Sequence, residues 1–271
     1  MLKKMWQKTY GAVCNINCFN NNKIKVCSFT GFKINNYLIT DATIYTLQNV
    51  SEIELRFVSL DGYSTVVSKQ ISFKEFESRI LDGTKDRKSG YAIINIDFSE
   101  FSDIPSLNLC SNNKKIEIGT PIFILGYQID QSNLSIHAGY ISSYYLNDNG
   151  NKYIQFDASI KPGYSGGPLI NAENGDVIGI IGYRLVRSIM AYNSIKDIAD
   201  SNIRMLEEAI DNLVIKNIDP IQVLIAQENQ IKMLAKELYK TSYRSVGFAI
   251  EICKVMSEFE LHQAELSAKY K

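Results

Sequence analysis

Residues 163–171 read Gly-Tyr-Ser-Gly-Gly-Pro-Leu-Ile-Asn, and no other stretch of the chain constrains the fold as strongly. One glycine stands two residues before Ser165 and two glycines follow it directly. Glycine backbones turn tightly, so successive main-chain amides of such a loop can point inward and bind a developing oxyanion. We therefore predict that Ser165 occupies a nucleophile position and that the amides of Gly163 and Ser165 form the oxyanion hole.

The stretch from Phe156 to Asn171 resembles the nucleophile loop of trypsin-like peptidases, most closely the Deg/HtrA type, which reads D-A-x-I-x-P-G-x-S-G-G-P-L. Other segments resemble strands of the same family, in the same order, over roughly residues 8 to 184. These segments are Thr30–Phe32, Tyr37–Thr40, Ala92–Ile96, Ile118–Pro121, Leu125–Tyr127, Gly139–Ser142 and Val177–Ile180. The resemblance implies an all-β core, a chymotrypsin-like double antiparallel β-barrel, with Ser165 at the position of the catalytic serine.

Two of the three catalytic side chains of that family are missing at the matching positions. In active relatives the strand Leu38–Thr40 continues into a histidine, where this chain has Thr43. The family's aspartate precedes the strand Ala92–Ile96, and this chain has Gly90 there. A threonine hydroxyl is not basic near neutral pH, and glycine has no side chain to orient a base. Loss of the base alone lowers turnover on the order of 10⁶-fold in a well-studied triad.

Four other side chains could in principle take the proton of Ser165. The resemblance places His137 on a strand that does not face the serine, so we interpret it as a partly exposed strand residue. Lys161, four residues before the serine, would act only if burial kept it neutral. Asp41 and Asp86 lie near the vacant positions in the sequence, and both are interpreted as solvated surface charges.

A rival fold fits the same serine. Residues 163–167 also satisfy G-x-S-x-G, the nucleophile elbow of α/β-hydrolases, with Asp211 or Asp219 and His262 as possible partners. That motif requires a helix directly after the serine, whereas the β-branched run Val177–Ile181 predicts strand, turn and strand. The α/β-hydrolase is therefore the less favoured alternative, and His262 is more simply a packed residue of a helix.

The sequence pattern changes near residue 185. Before it, short β-branched runs alternate with clusters of Asn, Gly, Asp and Ser, which is typical of antiparallel β-barrels. After it, apolar residues recur with helical spacing, and Asp219 followed by Pro220 predicts a helix start. Two apolar stripes are predicted to be packing faces: Ile203, Leu206, Ile210 and Leu213, then Leu224, Ile231, Leu234 and Leu238.

Val246–Ile250 resembles the strand that closes the second barrel of Deg/HtrA proteases, so we expect the helices to interrupt that barrel. The predicted organisation is an N-terminal barrel at 1–110, a C-terminal barrel at 111–184 plus 244–252, a helical hairpin insertion at 185–243 and a C-terminal helix at 253–271. By the same resemblance, a peptide-binding cleft is expected beside the serine. Its predicted lining is Ser159, Gly182, Tyr183 and Arg184, with Arg184 partly plugging the pocket.

Composition disfavours several classes of protein. The chain of 271 residues is 45% apolar and carries 29 basic and 29 acidic side chains, which is ordinary for a globular protein and gives no bias toward nucleic acid or anionic membranes. No apolar run is long enough to cross a bilayer, and Met1–Lys8 leads into no signal-peptide core. Five cysteines, at 14, 18, 27, 110 and 253, form no metal-binding pattern and fit a reducing compartment. We expect a cytoplasmic protein without metal or cofactor.

These patterns together predict a protease homologue without its base, acting inside the cell as an adaptor or sensor that binds a protein or an extended peptide. Strand addition can supply such binding through main-chain hydrogen bonds, which need no histidine. The alternative is an active endopeptidase in which Ser165 is served by an unsuspected side chain or by a partner chain.

Overall fold

The polypeptide is organised as two units in a computed structural model. The first unit comprises Met1–Arg184 and Ser245–Lys271, and the second comprises Leu185–Arg244. The structure describes residues 1–84, 90–110, 116–129, 131–146, 152–182, 187–208, 219–242, 246–252, 255, 256 and 259.

The first unit begins with helix α1 and a seven-stranded antiparallel sheet in the order β5-β4-β1-β2-β3-β7-β6. The elements are α1 Leu2–Thr9, β1 Val13–Phe19, β2 Lys25–Ile34, β3 Tyr37–Asp41, β4 Glu52–Val58, β5 Thr65–Ser72, α2 Phe73–Ser78, β6 Ile80–Gly83 and β7 Tyr91–Asn95. Strand β1 is central and almost wholly buried, with Cys14, Ile16 and Cys18 in the apolar core of this sheet. Its alternate face is polar, where Ser28 donates a hydrogen bond to Asn15 (2.8 Å).

Six further strands of the first unit close into a barrel in the order β10-β13-β12-β11-β8-β9. They are β8 Pro121–Tyr127, β9 Leu134–Leu146, β10 Lys152–Phe156, β11 Pro168–Asn171, β12 Val177–Ile181 and β13 Gly247–Glu251. Strand β13 lies between β10 and β12, with Ala249 opposite both Ile154 and Ile181. The last of the described strands therefore completes the barrel.

Arg56, a buried residue of β4, links the first sheet to a loop of the barrel. Its guanidinium donates to the Thr65 hydroxyl (2.7 Å), to the Ser132 carbonyl (2.8 Å) and to the Tyr63 carbonyl. Beside it, the Leu134 amide donates to the carbonyl of residue 62 (2.7 Å). The planar guanidinium presents several donors in fixed directions. The Arg56 side chain therefore holds in place both the loop between β4 and β5, with Tyr63, and the loop between β8 and β9, with Ser132.

The second unit is a pair of helices, α3 Arg187–Glu208 and α4 Pro220–Ser242. They run antiparallel: Asp200 pairs with Lys232, and Asn202, further along α3, donates to Glu228, which lies earlier in α4 (2.8 Å). The predicted start of α4 is confirmed, since the Asp219 carboxylate accepts from the Ile221 amide (2.9 Å) and caps the helix.

The prediction that Leu224, Ile231, Leu234 and Leu238 form a packing face is wrong. Their exposed fractions are 45, 46, 64 and 70%. The face of α4 that meets α3 is instead the neighbouring stripe, where Glu228 and Lys232 bind polar residues of α3 and Ala235 is buried. For the first predicted packing face, Ile203 and Leu206 are half-buried, as expected of such a face. Its other two residues, Ile210 and Leu213, lie outside the described residues.

Little of the predicted C-terminal helix at 253–271 falls within the described residues. Val255 and Phe259 are helical and buried in the core of the first unit, where Phe259 packs edge-on against Tyr37 with ring centroids 5.2 Å apart. Within the described parts of the chain, no helix is both long enough and apolar enough to cross a membrane.

We expect Arg56→Ala to lower the free energy of unfolding by about 2 kcal/mol or more, because it leaves a part-buried hydroxyl and two carbonyls without their charged donor. Lys23→Ala is the control, since Lys23 pairs with Glu52 at the surface and its side chain is 68% exposed. Lys23→Ala should lower the free energy of unfolding by at most about 1 kcal/mol. Urea titrations of both variants give the comparison, and equal losses would contradict the role assigned to Arg56.

Candidate active site

The loop that carries Ser165 requires its glycines for steric reasons. Gly163 has φ +101° and Gly166 has φ +82°, values that side chains rarely adopt. A Cβ on Gly166 would come 2.2 Å from the Thr30 carbonyl and 2.2 Å from the Thr40 hydroxyl. Any larger residue at position 166 would therefore push the loop away from the first sheet.

Thr30 of β2 holds this loop in place. Its hydroxyl donates to the Gly163 carbonyl (2.6 Å) and accepts from the Tyr127 amide (3.0 Å), while its own amide donates to the Ser165 carbonyl (3.1 Å). On the other side, the Gly166 amide donates to the Ile181 carbonyl (2.7 Å). The loop is thus fixed between a strand of the first sheet and a strand of the barrel.

The two amides predicted to bind an oxyanion remain available. Among the described residues, neither the Gly163 amide nor the Ser165 amide has a hydrogen-bond acceptor. The carbonyls of both residues and the amides on either side of Ser165 are engaged, so these two amides are the donors of the loop left for a ligand within the described part of the chain.

The partner of the serine is a carboxylate. The Ser165 hydroxyl donates to Oδ2 of Asp41, which ends β3 and is 2% exposed. The Thr43 hydroxyl donates to the same oxygen (2.9 Å) and the Thr43 amide donates to Oδ1 (3.1 Å). Burial raises the pKa of Asp41, and the hydrogen bonds from Ser165 and Thr43 partly oppose that rise.

The interpretation of Asp41 as a solvated surface charge is therefore wrong. Asp41 opposes Tyr91 in the sheet, so the end of β3 is enclosed by the strand beside it and by the serine loop. Its carboxylate also caps the short 3₁₀ helix Ala42–Thr46. The sequence carried one signal, an acidic residue capping the turn that follows a strand. The second aspartate, Asp86, lies outside the described residues.

The two residues predicted to stand at the vacant triad positions are close to each other. Thr43, at the predicted histidine position, is half-buried, and its hydroxyl donates a hydrogen bond to Asp41. Gly90, at the predicted aspartate position, is buried, and its carbonyl accepts from the amide of Ala42 (3.1 Å). Neither residue offers a group that titrates near neutral pH.

Comparison with known proteins gives the family. Residues 30–180, more than half of the chain, match the model of the trypsin-like peptidase domain. The chain belongs to the trypsin-like peptidase family.

Two relatives of this trypsin-like domain share it over part of their length. A "probable periplasmic serine endoprotease DegP-like" of Hahella chejuensis is 34% identical over 122 residues, which are 44% of this chain and 24% of that protein. "Serine protease HTR4" of Bos taurus is 30% identical over 166 residues, which are 58% of this chain and 30% of that protein. The chain spans less than a third of the length of either relative.

Solved structures share the fold at lower identity. The Rv3671c protein of M. tuberculosis, in the inactive form of a serine-to-alanine mutant, superposes with a TM-score of 0.52, 16% identity and coverage of 97% of this chain and 91% of that chain. The serine endoprotease from Yersinia pestis gives a TM-score of 0.51 and 16% identity over 95% of this chain and 66% of that chain. The predicted chymotrypsin-like double barrel is thereby confirmed.

The α/β-hydrolase alternative does not fit this trypsin-like domain. The serine is followed by strand β11, not by a helix, and both sheets are antiparallel. Asp219 is engaged as the cap of α4, while Asp211 and His262 lie outside the described residues.

The other candidate bases of the trypsin-like domain do not contact the serine. His137, half-buried on β9, packs against the Tyr164 ring with centroids 5.6 Å apart, and its Nε2 has no hydrogen-bond partner among the described residues. Burial lowers the pKa of His137, and the charge of Lys161 adds to this effect. Lys161 is exposed, so it lacks the burial that its role as a base was expected to require.

The cleft residues are described only in part. Ser159 and Gly182 are half-buried, and the Gly182 amide donates to the Phe248 carbonyl of β13 (3.0 Å). Tyr183 and Arg184 lie outside the described residues, so the predicted plugging of the pocket by Arg184 stays a prediction.

We expect the stability of the wild-type domain to fall, relative to Asp41→Asn, as the pH rises from about 4. The pKa of Asp41 is raised above 3.8, so the unfolded chain loses this proton first and binds fewer protons than the native state in that range. For each pH unit by which the pKa of Asp41 is higher in the native state than in the unfolded chain, the wild type should lose about 1.4 kcal/mol of stability. The full loss is reached once the pH exceeds the native pKa.

Urea titrations of both proteins between about pH 4 and about pH 8 measure this difference. Ser165→Ala removes one hydrogen bond to the carboxylate, so the decline should then extend to higher pH. A difference between wild type and Asp41→Asn that does not change with pH would show that burial does not raise the pKa of Asp41.

Proposed function

We propose that this trypsin-like domain binds a protein or an extended peptide without cleaving it. The observation that carries the proposal is the hydrogen bond from the Ser165 hydroxyl to the buried carboxylate of Asp41, with Thr43 where the family has its histidine. The serine thus has a proton acceptor, but that acceptor is enclosed.

Peptide hydrolysis requires the base to act twice. It takes the proton of the serine during attack and then gives it to the departing amine, so it must face both groups. Asp41 is 2% exposed, and its oxygens are already bound by Ser165 and by Thr43. A proton taken up there has no route to a leaving group in the cleft. Loss of the imidazole costs on the order of 10⁶ in turnover in a related type of triad.

Binding needs none of these proton transfers. The Gly163 and Ser165 amides have no acceptor among the described residues, so they can bind a carbonyl of a docked segment. An extended segment that adds to a strand gains affinity from its main chain. We therefore assign the cleft with Ser159 and Gly182 as one recognition surface.

The helical unit supplies a second surface for a protein partner. On α3, Ile198 is 59% and Met205 58% exposed, and on α4 the side chains of Ile231 and Leu234 are also largely exposed. Groups of exposed apolar side chains on a helix pair are typical of protein interaction sites. This surface supports an adaptor or sensor role, in which the helices contact a second protein.

One observation favours an active peptidase as a second candidate function. The direct contact of Ser165 with Asp41 is the geometry that a general base needs, and the raised pKa makes the carboxylate a stronger base than an exposed one. In that case Asp41, one of the candidate bases in the sequence, interpreted there as a surface charge, is the base of the peptidase.

The cellular compartment stays a prediction. The cysteine pattern favoured a reducing, cytoplasmic setting, whereas the relatives from Hahella chejuensis and Pseudomonas fulva carry the word periplasmic in their names. The partner and the oligomeric state are likewise left to experiment.

We expect no labelling of the wild-type domain by a fluorophosphonate probe above the level of Ser165→Ala. Asp41→Asn combined with Thr43→His recreates the N-A-H sequence of active relatives and, because the loop is already held by Thr30, should label Ser165. In-gel fluorescence and mass spectrometry of the serine peptide measure both outcomes.

The second candidate predicts a different pattern with the same probe. If Asp41 is a working base, the wild-type domain labels, the labelling rate rises with pH through the pKa of Asp41, and Asp41→Asn abolishes it. Labelling of that kind, or release of peptide from a substrate, would contradict the non-hydrolytic proposal.

We expect the domain to bind fluorescent β-casein, an unfolded protein, in an anisotropy assay without degrading it. Ser159→Arg should block the cleft, and Ile231→Ser with Leu234→Ser should remove the apolar surface of α4. Gln230→Ser with Lys236→Ser changes two exposed polar residues of the same helix and is the matched control. Binding that is lost in neither test variant, or no binding at all, would contradict the adaptor role.

A further inference from the structure

Two cysteines face each other across the first sheet. Cys18 of β1 lies directly opposite Cys27 of β2 in the antiparallel register, and both thiols are free. Both side chains lie on the core face of the sheet, because Cys18 is part of the apolar core and Cys27 packs against that core. This pair lies outside the site around Ser165 and is used by none of the functions proposed above.

The register is compatible with a bond between the two sulfurs. Directly opposed residues of antiparallel strands have Cα atoms about 4.5 or about 5.5 Å apart, according to the type of pair. Disulfides span Cα distances of about 4.4 to about 6.8 Å. Either type of pair therefore admits a cross-strand disulfide without separating β1 from β2.

The two thiols differ in access and in acidity. Cys18 is fully buried, and its hydrogen bond to Cys27 together with burial raises its pKa. Cys27 is half-buried, and its pKa is lowered, mainly by the hydrogen bond from Cys18; burial opposes this effect and the charge of Lys25 adds to it. Because the thiolate is the nucleophile, Cys27 is the residue suited to attack and Cys18 the residue suited to close the bond. By contrast, Cys14 is fully buried and burial raises its pKa.

We propose that Cys18 and Cys27 form a redox-active dithiol that a peroxide converts into a cross-strand disulfide. The Cys27 thiolate attacks one oxygen of hydrogen peroxide, the O–O bond breaks, and Cys27 becomes a sulfenic acid while hydroxide leaves and is protonated to water. The Cys18 thiol then attacks that sulfur, loses its proton and expels a second water. Both thiols are oxidised, and one peroxide is reduced to two waters.

The position of the pair gives the bond a structural consequence. On β2, Cys27 lies three residues before Thr30, the residue whose amide and hydroxyl hold the Ser165 loop. A disulfide would fix the pairing of β1 with β2 directly beside that anchor. The dithiol stands on its own geometry and does not depend on whether Ser165 is reactive.

The test treats the reduced, full-length protein with an equimolar amount of hydrogen peroxide, alkylates the remaining thiols and maps the peptides by mass spectrometry. Trypsin cleaves after Lys23 and Lys25, so a bond between the two cysteines joins two peptides that are otherwise separate. We expect that joined species, lighter than its parts by two hydrogen atoms, with Cys14 still alkylated. Dithiothreitol should restore both thiols.

Variants identify the role of each thiol. Cys18→Ser should stop the reaction at a Cys27 sulfenic acid, which dimedone traps, and Cys27→Ser should leave Cys18 as unreactive as Cys14. Cys14→Ala is the matched control and should oxidise like the wild type. Because Cys14 and Cys18 lie in the same tryptic peptide, this variant also shows that the bond to Cys27 is made by Cys18 and not by Cys14.

The proposal is overturned if, in the wild-type protein, Cys27 is alkylated as fully after peroxide as before. It is also overturned if Cys27 is bonded to a cysteine other than Cys18, or stops at sulfenic or sulfinic acid while Cys18 remains reduced. Because these outcomes are read in the wild-type protein, they do not depend on any variant being folded.

Discussion

The hydrogen bonds of Thr30 join the two β structures at the loop that carries the serine. The hydroxyl of this one residue bridges the Gly163 carbonyl and the Tyr127 amide, and its own amide binds the Ser165 carbonyl. All of these groups are buried or nearly so, which means that an unpaired member would carry a desolvation cost of about 1–3 kcal/mol. Thr30 therefore fixes the sheet, the barrel and the serine loop relative to one another.

Within that arrangement, Asp41 changes the chemistry that the loop can perform. In a catalytic triad the serine donates to an imidazole at the open edge of the cleft, whereas here it donates to a carboxylate enclosed at the end of β3. Thr43 faces the same carboxylate and so is part of the enclosure. The fold of the family is retained, and the hydrogen bond of its serine to a buried carboxylate is the basis of the proposal that the domain binds without cleaving.

The sequence predicted the family, the double barrel and the nucleophile loop because their signals are local. Glycines that need positive φ, a proline after them and β-branched strands can each be read from a few neighbouring residues. Burial of Asp41 could not be predicted in this way, since it depends on contact with Ser165, 124 residues away. The face of α4 that meets α3 was assigned wrongly for a similar reason. Helical spacing shows that Leu224, Ile231 and Leu234 share a side, but not whether another helix lies against it.

The place of β13 in the barrel has a consequence for how the chain is made. Strands β10 and β12 each pair with β13, which emerges from the ribosome only after both helices of the second unit. Until then the barrel has two unpaired edges, and such edges are templates for pairing with other chains. Newly made protein should therefore be most dependent on chaperones during synthesis of the helical segment, with barrel closure as a late event of biogenesis.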